Sequence, residues 1–377
     1  MCTHSRRTHT LPTSTHRHTH THTHARTHAR THAPCTHSRR CDAQAAASRR
    51  ILWSDLELER PPIASGVSKT VHRARLGGTL VAVLELRQGS ITTEAAMFDR
   101  LGKNRHLTRL LGMARSPEGR QALVTEFAPH GSLSDVLSAL NDRGRRASDA
   151  VLVRIAMQVC QGMMHMAAEG VLHRDLAGRN VLVFAIDDDA VNASSVVVKI
   201  TDYGLAKEAS GYYYASGDVL PMRWMSPEAI LRRKFSEKSD VFAFGVLMWE
   251  LWSYAEVPFG TVGSDAEVGR MVASGERLAQ PDGCPQAAYD LMQRCWAAKP
   301  ASRPCFTELY DDLLALHATV SVGPEPTCVI CLERPPTMAA IPCGHRCLCA
   351  EDAARIVGQR CPMCRQPVER VLMIYDA

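Results

Sequence analysis

No apolar run in this 377-residue chain approaches the ~20 residues that a bilayer-spanning helix needs. The most apolar segment, Val241 to Trp252, is interrupted by Glu250 and reads as a buried helix. The amino terminus has no apolar core of the kind a secretory signal carries. Basic charge is also scarce where it would matter. The net charge of +5 comes from the first fifty residues, with nine Arg against one Asp, and the remainder holds 35 basic and 38 acidic residues. A nucleic-acid-binding surface therefore has little support. Cysteine is unevenly spent: seven of 14 fall between Cys328 and Cys364 at paired spacings, which points to metal rather than disulfides. A reducing, cytoplasmic setting without a membrane span is the matching expectation.

In the head, residues 1–50, the first forty alternate Thr and His with scattered Arg and hold ten of the 17 histidines. With so little to bury, this head is expected to be disordered. A metal-binding His tract or an organelle transit peptide are the alternatives, and the lack of an apolar face weighs against the second. From Ile51 to about residue 318, strand and helix patterns alternate. Thr79–Leu84 and Gln121–Thr125 read as strands. Val151–Ala168 reads as a helix with Val151, Ile155, Val159 and Met163 on one face. Residues 319–327, with Gly323, Pro324 and Pro326, read as a linker. Residues 328–377 form a cysteine-rich unit.

Residues 173–180 read His-Arg-Asp-Leu-Ala-Gly-Arg-Asn, and Asp202-Tyr203-Gly204 follows. Phosphoryl transfer needs a carboxylate near the attacking hydroxyl and oxygen-bearing side chains that hold magnesium on the triphosphate. Asp175, Asn180 and Asp202 offer that set in the order of the protein-kinase loops. Ser226-Pro227-Glu228, the run Ser239 to Gly245, and Arg303 before Pro304 add further landmarks. The chain thus resembles the protein kinase superfamily over residues 51–317. The resemblance implies a bilobal α+β fold that uses ATP and Mg2+, with Asp175 accepting the hydroxyl proton and Asn180 and Asp202 on magnesium. It also implies a buried Glu228–Arg303 ion pair. Ala177, Arg179 and Leu220 to Met225 resemble the tyrosine-kinase branch, and Tyr212, Tyr213 and Tyr214 lie where a phosphate could meet Arg174. Tyrosine specificity is favoured, with Ser/Thr open.

The nucleotide lobe departs from that pattern. In the glycine-rich loop, Ile63 to Val71, only Gly66 remains of three glycines; Ala64 and Lys69 replace the others. By resemblance, Val71 and Ala82 pack on adenine, Thr125 controls the back of the site, and Glu126, Phe127 and Ala128 form the hinge, with Leu182 below the base. The position of the usual phosphate-binding lysine is Leu84. Side chains alternate along a strand, so Lys69, two residues before Val71, should point into the cleft from the neighbouring strand about 5 Å away. This arrangement is similar to the with-no-lysine kinases, with Glu94 as the partner of Lys69. The rival reading is a solvated lysine in a pseudokinase.

Cys328, Cys331, Cys343, His345, Cys349, Cys361 and Cys364 are seven ligands, whereas two tetrahedral Zn2+ sites require eight. Asp352, three residues after Cys349, supplies the eighth, with Cys347 as its rival. The order resembles a RING finger of the inhibitor-of-apoptosis type. That resemblance implies cross-braced sites: Cys328, Cys331, Cys349 and Asp352 in one, Cys343, His345, Cys361 and Cys364 in the other. It further implies docking of a ubiquitin-conjugating enzyme on Ile330 and Pro362, with Arg365 bridging to ubiquitin. The tail Val371 to Tyr375 would support a homodimer. The whole reads as an ATP-dependent protein kinase acting on a protein substrate, fused to a RING-type ubiquitin ligase. The alternative is a pseudokinase scaffold that recruits clients for the RING.

Overall fold

The computed structural model describes residues 50–65, 69–87, 91–186, 196–203, 206–208, 213–214, 221–321, 328–331, 334 and 336–373. The 1–50 head (but for Arg50), Gly66 and Tyr212 lie outside the described residues, as does the acidic run 187–189. Strands β1 (Leu56–Leu58), β2 (Ala64–Ser65), β3 (Lys69–Leu76) and β4 (Thr79–Leu86) precede helix α1 (Thr92–Leu101), and β5 (Leu110–Arg115) and β6 (Gln121–Glu126) follow it. They form one antiparallel sheet in the order β1-β3-β4-β6-β5, with β2 beside β3. Gly77 and Gly78 turn β3 into β4 at φ +54° and +81°, a conformation that glycine adopts without a Cβ clash. Strand alternation then sorts β4 into two faces. Val81 and Val83 pack with Leu56, Ala74 and Val124 on one side. Leu84 and Leu86 face the other side and pack against the larger core, to which Ala95 and Phe98 of α1 belong.

The second lobe is mainly helical. Helix α2 (Leu133–Asp142) opens with a capping box in which Ser132 and Asp135 satisfy each other's main chain. Helix α3 (Asp149–Ala168) begins two residues before the expected start, capped by Ser148, and its predicted face of Val151, Ile155, Val159 and Met163 is buried. Short strands β7 (Val171–Leu172), β8 (Val181–Ala185), β9 (Val197–Ile200), β10 (Lys207–Glu208) and β11 (Tyr213–Tyr214) carry the loops of interest. Helix α4 (Pro227–Arg232), β12 (Lys234–Phe235), α5 (Glu237–Trp252), α6 (Asp265–Ser274), α7 (Gln286–Cys295) and α8 (Phe306–Ser321) complete the lobe. Helix α5 is apolar nearly all round because it runs through the core, buried from Ser239 to Trp252.

Helix α8 corrects the expected linker start: it continues through 319–321, with the Thr319 hydroxyl donating to Leu316 O at 2.7 Å and Val320 packed on the core. Tertiary packing sets this helix end. Arg303, with no exposed side-chain surface, donates to Glu228 at 2.6 and 2.9 Å and to the carbonyls of Ala297 and Lys238. Burial alone would raise the Glu228 pKa, but Arg303 outweighs it and holds the carboxyl below its ordinary value.

In the last unit, β13 (Met338–Ile341) is central, flanked by β14 (Arg346–Leu348) and β15 (Arg370–Met373), with α9 (Ala350–Ile356) packed against them. Its apolar core is small: Ala340, Cys347, Leu348, Ala353, Ile356, Cys361 and Val368. Val371 packs against it, while Leu372 and Met373 are exposed, and Ile374 and Tyr375 lie outside the described residues. Two lobes and a small cysteine-rich unit make the α+β architecture that the motifs imply. Among the described residues, no helix is long and apolar enough to cross a membrane.

Candidate functional site

The loop from His173 to Asn180 is held from below by α5. The Asp240 carboxylate accepts the main-chain N–H of His173 at 2.8 Å and of Arg174 at 3.0 Å. Burial raises the Asp240 pKa, and His173, Arg174 and those two donors oppose the rise. Arg174 itself lies at φ +69°, a left-handed conformation uncommon for a residue with a side chain. Asn180 Nδ2 donates to the Asp175 carboxylate at 2.9 Å and to its main-chain oxygen at 2.8 Å. Arg179 donates to the other Asp175 oxygen. Asp202 lies at φ +63°, and next to it Tyr203 is fully buried. The Tyr203 ring meets Phe98 of α1 edge-on at 4.7 Å and His173 at 6.1 Å. Its hydroxyl, which a Phe would lack, donates to Ile200 O at 3.1 Å. A buried phenol needs such a partner.

Lys69 reaches into the cleft. Its Nζ stands 3.0 Å from Glu94 of α1 and 2.8 Å from Asp202. The β3–β4 register explains how: Val71 pairs with Leu84 and Lys69 with Leu86, so Lys69 occupies the same sheet face as Leu84, one step along. Leu84 packs on the core beside α1 and brings no charge. Burial would lower the Lys69 pKa, but Asp202 first and Glu94 second outweigh it, and the ammonium is held above its ordinary value. Burial likewise pushes Glu94 up, against the pull of Lys69. One cation thus serves two carboxylates.

Of the residues expected around adenine, Val71, Ala82 and Thr125 share that face. Ala82 pairs with Thr125 across β4 and β6, and Val71 lies on the adjacent strand. Ala82, Thr125 and Ala128 are buried, and Leu182 on β8 is half-buried. Glu126 differs from the others: its carboxylate accepts from Lys199 at 2.7 Å and from the Arg109 N–H at 2.8 Å. Its main-chain N–H donates in turn to the Arg109 carbonyl at 3.1 Å. Lys199 was not singled out by motif; its signal is one of register, since it pairs with Leu182 beneath the hinge. Glu250 was noted only as a break in an apolar run, yet its carboxylate accepts the Gly178 N–H at 2.9 Å and the Trp224 indole N–H at 3.0 Å.

In the cysteine-rich unit, Cys328, Cys331, Cys349 and Asp352 bring their ligand atoms within 4.8 Å of one another, and so do Cys343, His345, Cys361 and Cys364. Asp352 Oδ2 lies 3.2 Å from Cys328 Sγ and 3.1 Å from Cys349 Sγ, while Arg355 donates to its other oxygen at 3.4 Å. Cys347 belongs to neither cluster and packs in the apolar core. Three thiolates with an imidazole, or three with a carboxylate, brought this close suit zinc.

Residues 79–313 match the protein tyrosine and serine/threonine kinase family, and residues 324–371 match the C3HC4-type zinc finger, or RING finger. The chain belongs to the protein kinase family and carries a RING finger after the kinase domain. It is 39% identical over 254 residues to the human (Homo sapiens) inactive tyrosine-protein kinase 7, which covers 66% of this chain and 22% of the relative. It is 38% identical over 222 residues to the mouse (Mus musculus) megakaryocyte-associated tyrosine-protein kinase, covering 58% and 40%. It is 31% identical over 275 residues to the fibroblast growth factor receptor homolog 1 of Drosophila melanogaster, covering 66% and 36%. The chain spans less than half the length of these curated relatives. A C3HC4 pattern names seven cysteines and one histidine; the two clusters here hold six cysteines, one histidine and Asp352.

Proposed function

We propose that this chain is an active protein kinase with a tyrosine-kinase-like catalytic loop, joined to a RING-type ubiquitin ligase module. The observation that carries the kinase reading is the Lys69 ammonium, 3.0 Å from Glu94 and 2.8 Å from Asp202. Asp175, oriented by Asn180 and Arg179, accepts the proton of the attacking hydroxyl. Lys69 binds the phosphates of the substrate ATP, and Glu94 fixes its Nζ. Asn180 and Asp202 would hold magnesium, which neutralises charge on the phosphates. Asn180 spends its Nδ2 on Asp175, which leaves its amide oxygen, and Asp202 brings carboxylate oxygens beside Lys69, so both offer the oxygen donors that a hard cation on a triphosphate takes. The kinase unit spans 51–321 and the RING 328–377. A reducing cytoplasm suits the free thiols.

For the RING, each cluster would hold one zinc ion, which supplies the folding energy that a small core lacks. Ile330 and Met363 are 42% and 59% exposed, and Pro362 and Arg365 are exposed beside them. They support a docking face for a ubiquitin-conjugating enzyme. Exposed Leu372 and Met373 on β15 support a homodimer through the tail.

Leu84 at the usual lysine position, together with a relative named inactive, favours the second reading, a scaffold that recruits clients for the RING. Autophosphorylation with radiolabelled ATP separates the two. Lys69→Met should lose about a hundredfold or more of the wild-type rate. A variant that keeps its rate refutes the relocated lysine, and an inactive wild type favours the scaffold. Ile330→Ala should slow discharge of ubiquitin from a charged conjugating enzyme; unchanged discharge removes the docking assignment.

A further inference from the structure

Glu250 is the only charged side chain between Val241 and Trp252, and it is 4% exposed. Its Oε2 collects two donors from segments far apart in sequence. One is the Gly178 N–H, inside the catalytic loop, and the other is the Trp224 indole N–H, just ahead of α4. The contact continues outward. The Arg179 guanidinium lies over the Trp224 ring, 4.2 Å from its centre, and Arg179 donates to Asp175. Gly178 is tightly enclosed, since a Cβ there would come within 2.7 Å of Ser134 Oγ and 3.4 Å of Glu250 Oε1. Ten residues earlier on α5, about 15 Å along the axis, Asp240 holds the main chain of His173 and Arg174. Helix α5 therefore grips the catalytic loop at two points.

We propose that Glu250 is a positioning residue for phosphoryl transfer: its carboxylate ties the catalytic loop to the segment ahead of α4 and, through Trp224 and Arg179, sets where Asp175 stands. This rests on the phosphotransferase reading above. An ionised acceptor makes both hydrogen bonds stronger than a neutral acid does. Burial pushes the Glu250 pKa up to about 7, against the pull of the Gly178 N–H, Trp224 and Arg179 and with a smaller push from Asp175. The charged groups acting on it, Arg179 and Asp175, both belong to the catalytic loop. Its neighbours from the segment ahead of α4 and from α2 are the neutral Trp224 and Ser134. The tie thus tightens as pH rises through neutrality.

Nitrogen-15 spectra of the full, zinc-loaded chain test this, because only five indole N–H signals are present and Trp224→Phe identifies one of them. The Trp224 signal should move with a midpoint near 7 in wild type and stay still in Glu250→Gln. In phosphotransfer, Glu250→Gln should have a kcat about tenfold below wild type at pH 8, converging on it by pH 6, with the KM for ATP unchanged. A Trp224 signal that does not titrate in wild type, or wild-type kcat for Glu250→Gln at every pH, overturns the proposal. A titrating Trp224 signal in a wild type without phosphotransfer supports the tie and sinks the kinase reading alone.

Discussion

The kinase domain and the RING satisfy their polar groups in opposite ways. In the kinase domain the buried charges around the site find partners within the chain: Arg303 has Glu228, Asp240 has two main-chain donors, and Lys69 has two carboxylates. Its site is assembled by the fold around it. In the RING, the ligand atoms of each cluster face one another within 4.8 Å. Once deprotonated, thiolates so close repel one another until a cation joins them. One unit is held by burial and pairing, and the other combines a small apolar core with two clusters suited to a metal ion.

Removal of metal should break this comparison most visibly. Structural zinc contributes on the order of 10 kcal/mol to such modules, more than a seven-residue core supplies. A strong chelator should unfold the RING while the kinase domain keeps its melting transition. All five tryptophans lie in the kinase domain, so their fluorescence reports on it alone. Zinc release followed colorimetrically, with unchanged tryptophan melting, is the expected pair of results. Asp352→Ala should lower the zinc content from two equivalents to one; two retained equivalents would point to Cys347 as the ligand.

Within the kinase domain the largest single loss should come from Arg303→Met. It leaves Glu228 buried without its partner, which costs about 3–5 kcal/mol. Urea unfolding should show that loss, and adding Glu228→Leu should recover most of it, because a well-packed apolar pair replaces a buried ion pair at little cost. A double variant no better than the single would mean that the carbonyl contacts of Arg303 matter more than the pair.

A smaller effect tests the exchange of one lysine for another. Leu84 and Lys69 share a sheet face one step apart. Leu84→Lys placed in a Lys69→Met background should restore phosphotransfer to within about tenfold of wild type, since the ammonium returns within reach of Glu94. No recovery would mean that the cleft has been remodelled around a lysine on β3.

What could be read in advance follows the range of the interaction. Local order was enough to expect the loop from His173 to Asn180, the two Cys/His/Asp clusters and a Lys69 turned toward Glu94, because strand parity and loop motifs are written in neighbouring residues. The end of α8 at Ser321 was missed, since Gly323 and Pro324 mark a stop but packing of Val320 decides how far the helix runs. The Glu126–Lys199 pair joins strands 73 residues apart in the chain, and nothing near either residue announces it. Glu250 was visible only as a misfit in an apolar run; its two donors sit 72 and 26 residues away.

That misfit supplies the smallest expected effect. A folded-state pKa of about 7, against the ordinary 4.5, means the folded chain keeps a proton on Glu250 that the unfolded chain has released. Its contribution to stability is therefore complete below about 4.5 and is lost as pH rises toward 7. Glu250→Gln has no such proton, so its stability relative to wild type should climb between roughly pH 5 and 7.5 and then level off. Urea unfolding followed by tryptophan fluorescence at several pH values would show it; a constant difference would mean that the buried carboxyl ionises as easily as an exposed one. The charge that tightens the catalytic loop is then the same charge that the core disfavours, and the Gln variant should be relatively most stable at the pH where it is least active.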